Sequence, residues 1–285
     1  MEIVRQEIIT LNVGYSKHTT IELKGSSMSL PYRSKDRYLA LAIDPLRFVK
    51  TAFDFVPDVH QAGVLTRPDS EQLIVWSRQF GKSATVSALC LHTAVFNPES
   101  VTLIAAQRKE VAQEMVRKAK KGVRVLRGGL FPTIKKDNAG SLELSNGSRI
   151  MAVSGSESGP RGYTVNLVVV DEASRVPEEY YEAVTPTQST VKRPKFIAMT
   201  TPYGKKGWFW DLWSKNTSCF KQLLTYKDCP RISDEFIKKE RERLPDYVFR
   251  QEYMCEFVDP KTSVFDYDEF MACVDDNVKT MGLRI

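Results

Sequence analysis

Four short apolar runs, QLIVW, VTLIAA, NLVVV and KFIAMT, punctuate the chain between residues 72 and 200, and longer segments separate them. Continuous apolar runs of this length predict strands buried on both faces. The segment KSATVSALCLHTAVF has helical length and an apolar stripe, and RKEVAQEMVRKAKKGVRVL is amphipathic with a basic outer face over residues 108–127. Strands that alternate with helices predict an α/β fold, a mostly parallel sheet flanked by helices. Within it, SLELSNGSRIMAVS alternates apolar and polar residues around Asn146-Gly147, which predicts an inserted antiparallel hairpin closed by a type I′ turn. Asp44-Pro45 predicts the start of the helix PLRFVKTAF. The expected organisation is an N-terminal arm over residues 1–43, a core over 44–230, and a helical subdomain with a linker over 231–285.

The carboxyl ends of these predicted strands carry the polar residues. In VWSRQFGKSATV the tripeptide Gly81-Lys82-Ser83 follows a strand and opens a helix, as the end of a phosphate-binding loop does, although Trp76 stands where that loop's first glycine would be. There the backbone N–H groups and the helix dipole face an anion. The loop Ser77, Arg78, Gln79, Phe80, Gly81, Lys82, Ser83 is the expected nucleotide site. Lys82 is expected to reach the β- and γ-phosphates, Ser83 to bind Mg²⁺, and Arg78 to add a second cation. The plain alternative is a surface lysine at a helix N-terminus.

A second strand end, NLVVVDEAS, offers Asp171 for the metal and Glu172 to activate water. A third, FIAMTTP, offers the hydroxyls of Thr200 and Thr201 beside the γ-phosphate; a bare Thr-Pro turn is the alternative. Arg161, in the Gly- and Pro-flanked SGPRG stretch, is a candidate arginine finger delivered by a neighbouring subunit.

Composition narrows the function. The balance of 41 basic against 35 acidic side chains gives +6, which permits a nucleic-acid partner without requiring one. The cysteines, five in number and without a C-x-x-C, and three isolated histidines argue against a disulfide framework or a zinc site. The N-terminus does not read as a signal peptide, and no run approaches a membrane span, so an intracellular setting is expected.

Taken together, these residues resemble the ATPase domain of the large terminase subunit, the DNA-packaging motor of tailed bacteriophages. The resemblance runs over roughly residues 44–265 and rests on the order of its motifs. SRQFGKS is similar to the family's variant Walker A, which often lacks the first glycine and carries an arginine at the position of Arg78. VVVDEAS resembles Walker B with its catalytic glutamate, and MTTPYGKKGWFWDLW the coupling motif. DPLRFVKTAFDFVPDVHQ resembles the family's adenine motif, which puts Gln61 at the base.

The resemblance implies a P-loop NTPase fold, with ATP and Mg²⁺ as cofactors. The implied partners are double-stranded DNA, a homo-oligomeric ring on the phage portal and a small terminase subunit, in the host cytoplasm and with no membrane. Family members continue into a ribonuclease-H-like nuclease. Asp266, Asp268, Asp275 and Asp276 lie in a polar tail, so translocation is expected here and cleavage is not. Two other readings stand beside the motor. One is a helicase-like nucleic-acid-dependent ATPase, since DEAS is shared with helicases; the other is a non-enzymatic, nucleotide-dependent DNA-binding scaffold.

Overall fold

A computed structural model of the chain describes residues 8–11, 19–22, 32–68, 70–155, 162–215 and 218–258. Strands β1 (Ile8–Leu11) and β2 (Thr19–Glu22) pair antiparallel with each other. Helices α1 (Tyr32–Ile43), α2 (Pro45–Phe53) and α3 (Val59–Thr66) lead into the main sheet. The arm reading of residues 1–43 is corrected from Tyr32 onward. Tyr38 and Leu41, three residues apart, share one face of α1 and are buried, with the Tyr38 ring 5.0 Å from Phe96 and 5.4 Å from Phe131. Among the described side chains of α1 only these two are buried, too few for a visible period.

The sheet alternates with its helices in chain order. β3 (Glu71–Trp76) leads to α4 (Lys82–Phe96), and β4 (Val101–Ala106) to α5 (Lys109–Val125). A meander follows: β5 (Ile134–Asn138), β6 (Ser141–Leu144) and β7 (Arg149–Ser154). Then come β8 (Leu167–Asp171), α6 (Glu178–Val184), β9 (Lys195–Thr200), α7 (Gly207–Lys215) and β10 (Phe220–Leu224). Helices α8 (Asp234–Arg243) and α9 (Asp246–Glu252) end the described chain. The spatial order is β10-β3-β9-β8-β4-β7-β6-β5. Pairing from β10 through β7 is parallel; β6 runs antiparallel to β7, and β5 antiparallel to β6.

The apolar runs are buried because both faces of the sheet are covered. On one face Ile74, Trp76, Ile104, Val169, Ile197 and Met199 form one core with residues of α1 to α5. On the other, their neighbours Leu73, Val75, Leu103, Val168, Val170 and Ala198 pack with Tyr180 and Val184 of α6 and Trp208 and Phe209 of α7. This two-sided burial is why these strands read as unbroken rather than alternating. In α5, Ala112, Met115, Val116, Ala119 and Val123 form the buried stripe.

Two details of the expected hairpin are corrected. β7 is a parallel partner of β4 and so belongs to the sheet rather than to an insertion. Its turn is not type I′, which needs positive φ at both central residues; here Gly147 has φ 82°, and Asn146 is not among the residues with positive φ. Gly147 N–H donates to Leu144 O at 3.0 Å and Leu144 N–H to Ser148 O at 2.9 Å, a wider loop closed by one left-handed glycine. The Asn146 side chain instead donates to Ala94 O at 2.9 Å and ties the loop to the end of α4. Among the described residues no helix is long and apolar enough to cross a membrane.

Candidate nucleotide-binding site

Three neighbouring strands, β3, β9 and β8, end on one side of the sheet, and their carboxyl ends build a cleft of about 450 Å³. In open parallel sheets ligands bind at this edge. Arg78, Gln79, Lys82, Ser83, Asp171, Glu172, Thr200 and Thr201 line it, which brings together eight of the residues singled out above. Gln107, Arg108, Arg175 and Glu252 line it as well.

The phosphate loop turns between β3 and α4. Its tight path needs left-handed backbone at Gln79, φ 59°, and at Gly81, φ 88°. Gly81 is also the N-cap of α4, so the helix begins with unpaired N–H groups facing the cleft. Any Cβ at Gly81 would meet Gln61 Nε2 at 2.7 Å.

Lys82 Nζ donates to Trp76 O at 2.6 Å and Ser77 O at 2.9 Å, so the ammonium is held inside the loop. Burial pushes its pKa down, and the Asp171 carboxylate opposes that shift. Ser83 Oγ, in the first turn of α4, donates to Asp171 Oδ2, at the end of β8, at 3.1 Å. Burial pushes the Asp171 carboxyl up while Lys82 and the bonds from Glu172 N–H and Ser83 pull it down. Glu172 follows in the left-handed region, φ 53°, with its N–H on Asp171 Oδ1 at 2.9 Å. A non-glycine residue held there, beside the buried aspartate, is the kind of local strain found at functional positions.

Other assignments change. Gln61 stands behind the loop, 4% exposed and outside the cleft lining. Its Oε1 accepts from Asp58 N–H at 3.1 Å and its Nε2 donates to Phe80 O at 3.3 Å, so it closes a capping box on α3 and braces the loop. Phe80 is fully buried against Trp76 at 5.0 Å, so its side chain anchors the loop and contacts no ligand space. Ser77 is likewise buried, with its N–H on Leu224 O at 2.9 Å. Thr200 Oγ1 accepts from Ser174 N–H at 3.3 Å and donates to Thr201 O at 2.6 Å; it ties the ends of β8 and β9 together and presents little free hydroxyl. Arg161 lies outside the described residues.

The basic face of α5 is less free than its sequence suggests. Arg117 forks onto Glu114, and Lys120 and Arg124 pair with Asp137. Arg108, at the N-cap of α5 and two residues past the end of β4, lines the cleft; that place between strand end and helix start was the signal for it. Helices α8 and α9 carry a small core of Ile237, Phe249 and Tyr253, as a helical subdomain would, yet Glu252 and Arg231 reach back to the phosphate loop.

Solved structures share this architecture. The ATPase domain of the Thermus phage P74-26 large terminase superposes with a TM-score of 0.60 at 21% identity, over 75% of this chain and 99% of that one. A large terminase from a thermophilic bacteriophage, in complex with ADP, gives 0.59 at 17%, over 71% of this chain and 54% of that one. The HK97 bacteriophage large terminase gives 0.62 at 15%, over 75% and 55%. The chain therefore spans nearly all of an isolated ATPase domain and about half the length of the longer terminases. At these identities the likeness shows the fold. The sequence adds the family: the pattern described as terminase large subunit, T4likevirus-type, N-terminal, matches residues 73–272, well over half of the chain, and the chain belongs to that family.

Proposed function

We propose that the chain is the ATP-hydrolysing motor part of a large terminase and drives double-stranded DNA into a procapsid. The observation that carries this reading is the convergence of Lys82, Ser83, Asp171 and Glu172 on one cleft, with Ser83 and Asp171 bonded to each other. The ADP complex of the thermophilic bacteriophage's large terminase supports a nucleotide in such a cleft.

A hydroxyl and a carboxylate are hard oxygen donors, and their 3.1 Å contact at the cleft floor suits a small divalent cation that keeps most of its waters. Ser83 and Asp171 would hold Mg²⁺, which when bound neutralises phosphate charge. Lys82 and the N–H groups at the start of α4 bind the phosphates. Glu172, on the same cleft wall, takes the proton from the attacking water, a contribution of ~10²–10⁴ in rate. Arg161 is assigned to the neighbouring subunit's cleft, and cations of α5, the half-buried Lys118 and the exposed Lys121, to DNA phosphates. A homo-oligomeric ring at the portal, a small terminase subunit and the host cytoplasm complete the assignment.

The test is ATP turnover with and without duplex DNA, beside a strand-displacement assay. DNA-stimulated turnover without unwinding is the expected result; unwinding, or no turnover, overturns the reading. For Arg161, mixing Arg161→Ala with Lys82→Ala subunits is expected to recover activity above either alone. No recovery from a co-assembled mixture overturns the finger assignment. For α5, affinity for DNA should fall steeply with salt and not depend on sequence.

A further inference from the structure

One peptide of the phosphate loop is gripped from behind. The Phe80 carbonyl accepts two hydrogen bonds, from Gln61 Nε2 at 3.3 Å and from an Arg231 terminal nitrogen at 3.0 Å. Both donors lie outside the cleft lining, whereas Gln79 and Lys82, on either side of Phe80-Gly81, belong to it. The donors share one anchor, Asp58, the N-cap of α3. Its Oδ2 accepts from the other terminal nitrogen of Arg231 at 3.0 Å, and its Oδ1 from the Gln61 N–H at 2.9 Å. Asp58, Gln61, Phe80 and Arg231 thus close a ring that joins the start of α3, the phosphate loop and the segment before α8.

A peptide group is planar and trans, so its N–H points away from its C=O. With the Phe80 C=O held at the back, the Gly81 N–H is turned to the cleft side, next to Lys82 and Ser83. Among the described residues that N–H has no hydrogen-bond partner. Local sterics do not choose this orientation. Gly81 has φ 88° and no Cβ, so the reversed peptide, with its carbonyl toward the cleft, is open to it as well. Successive N–H groups make a concavity that binds anions, and a carbonyl in their place would turn its negative end to the ligand. The choice between the two loops is left to the donors behind it.

Those donors are unequal. The Gln61 bond is the longer and comes from a neutral amide. The Arg231 bond is shorter and comes from a guanidinium, and such charge-assisted bonds are roughly twice as strong. The same guanidinium lies 5.9 Å from the centre of the Phe80 ring, so one side chain holds both ends of that residue.

We propose that Arg231 is a positioning residue for polyphosphate. It fixes the Phe80-Gly81 peptide so that the Gly81 N–H meets the anion, with Gln61 as the second hold. Arg231 acts through the backbone and touches neither phosphate nor base. The chemistry it serves is that of the phosphate chain, whatever base that chain carries.

This inference rests on the reading of the cleft as a nucleotide site, and two measurements on the full chain separate them. Phe80-Gly81 is the only Phe-Gly pair in the sequence. Labelling phenylalanine with ¹³C at the carbonyl and glycine with ¹⁵N therefore gives one linked NMR signal, that of this peptide. In the parent the signal should move when inorganic pyrophosphate is added. In Arg231→Ala it should move less. Calorimetry on that variant should show ADP and pyrophosphate weakened alike, by about tenfold, the scale of one hydrogen bond to a charged group. Arg231→Lys keeps one donor and should fall between parent and Arg231→Ala; it serves if the alanine variant does not fold. A purely structural Arg231 would lower stability and leave the peptide signal and both affinities as in the parent. A residue that reads the base would weaken ADP alone. Either result, or a parent signal that ignores bound pyrophosphate, overturns the inference while the nucleotide site stands. A parent chain that binds neither ADP nor pyrophosphate overturns both.

Discussion

Ser83 and Asp171, 88 residues apart in sequence, meet hydroxyl to carboxylate at 3.1 Å on the floor of the cleft. Asp171→Asn keeps the size and loses the charge. Nucleotide affinity of the parent should drop when EDTA removes Mg²⁺, and in Asp171→Asn that metal dependence should shrink by about 10–100-fold. Calorimetry with and without chelator checks it; an unchanged dependence would place the metal elsewhere.

Glu172→Gln should bind ATP as the parent does and hydrolyse it ~10²–10⁴-fold more slowly, because the amide keeps the shape and cannot take the proton. The readout is phosphate release beside nucleotide binding on the same preparation. Parental turnover would remove Glu172 from the role of base.

Gly81→Ala should weaken the loop from two causes. Left-handed backbone costs a residue with a side chain about 1–2 kcal/mol, and the new Cβ would press on Gln61 Nε2 at 2.7 Å. Urea unfolding at constant slope should show the loss. In a Gln61→Ala background, which itself loses the capping box, the further cost of Gly81→Ala should fall to the backbone part alone.

His92 supplies a pH prediction. Burial of this α4 residue against Phe48 of α2 pushes its pKa down to about 4, with the ring nitrogen Nε2 3.2 Å from Leu41 O. A histidine pKa depressed on folding means that the unfolded chain binds the proton more tightly. Its contribution is complete above the unfolded value near 6.5 and is lost as pH falls toward 4, with a slope of up to about 1.4 kcal/mol per pH unit. Denaturant titrations from pH 7 to 4 should show this slope, and His92→Gln should flatten it.

The sequence was legible wherever burial and chemistry coincide along the chain. QLIVW and NLVVV read as strands because both faces are covered, and the polar residues that follow them, Lys82 and Ser83 at the start of α4 and Asp171 and Glu172 at the end of β8, line one cleft. Strands at the margins were not legible. IKKDN of β5 is mostly exposed, and FKQLL of β10 is mostly half-buried, so neither carries an apolar run. Glu252 left no sequence signal, since its partner Arg78 is 174 residues away and its helix has no acidic pattern that marks one carboxylate as buried. Gln61 did leave one: Asp58 and Gln61 have capping-box spacing, which competes with a ligand for the same amide.

The clamps on the phosphate loop come from far along the chain. Arg78 is bound by Glu252, Asp58 by Arg231 across 173 residues, and Trp76 Nε1 by Gln222 across 146. Closing such long loops is entropically costly and slow compared with pairing neighbouring elements. A chain emerging from the ribosome therefore has β3, α4 and β4 in hand well before α9 appears. The phosphate loop therefore gains its far braces only after the segment that carries Arg231 and Glu252 has been made.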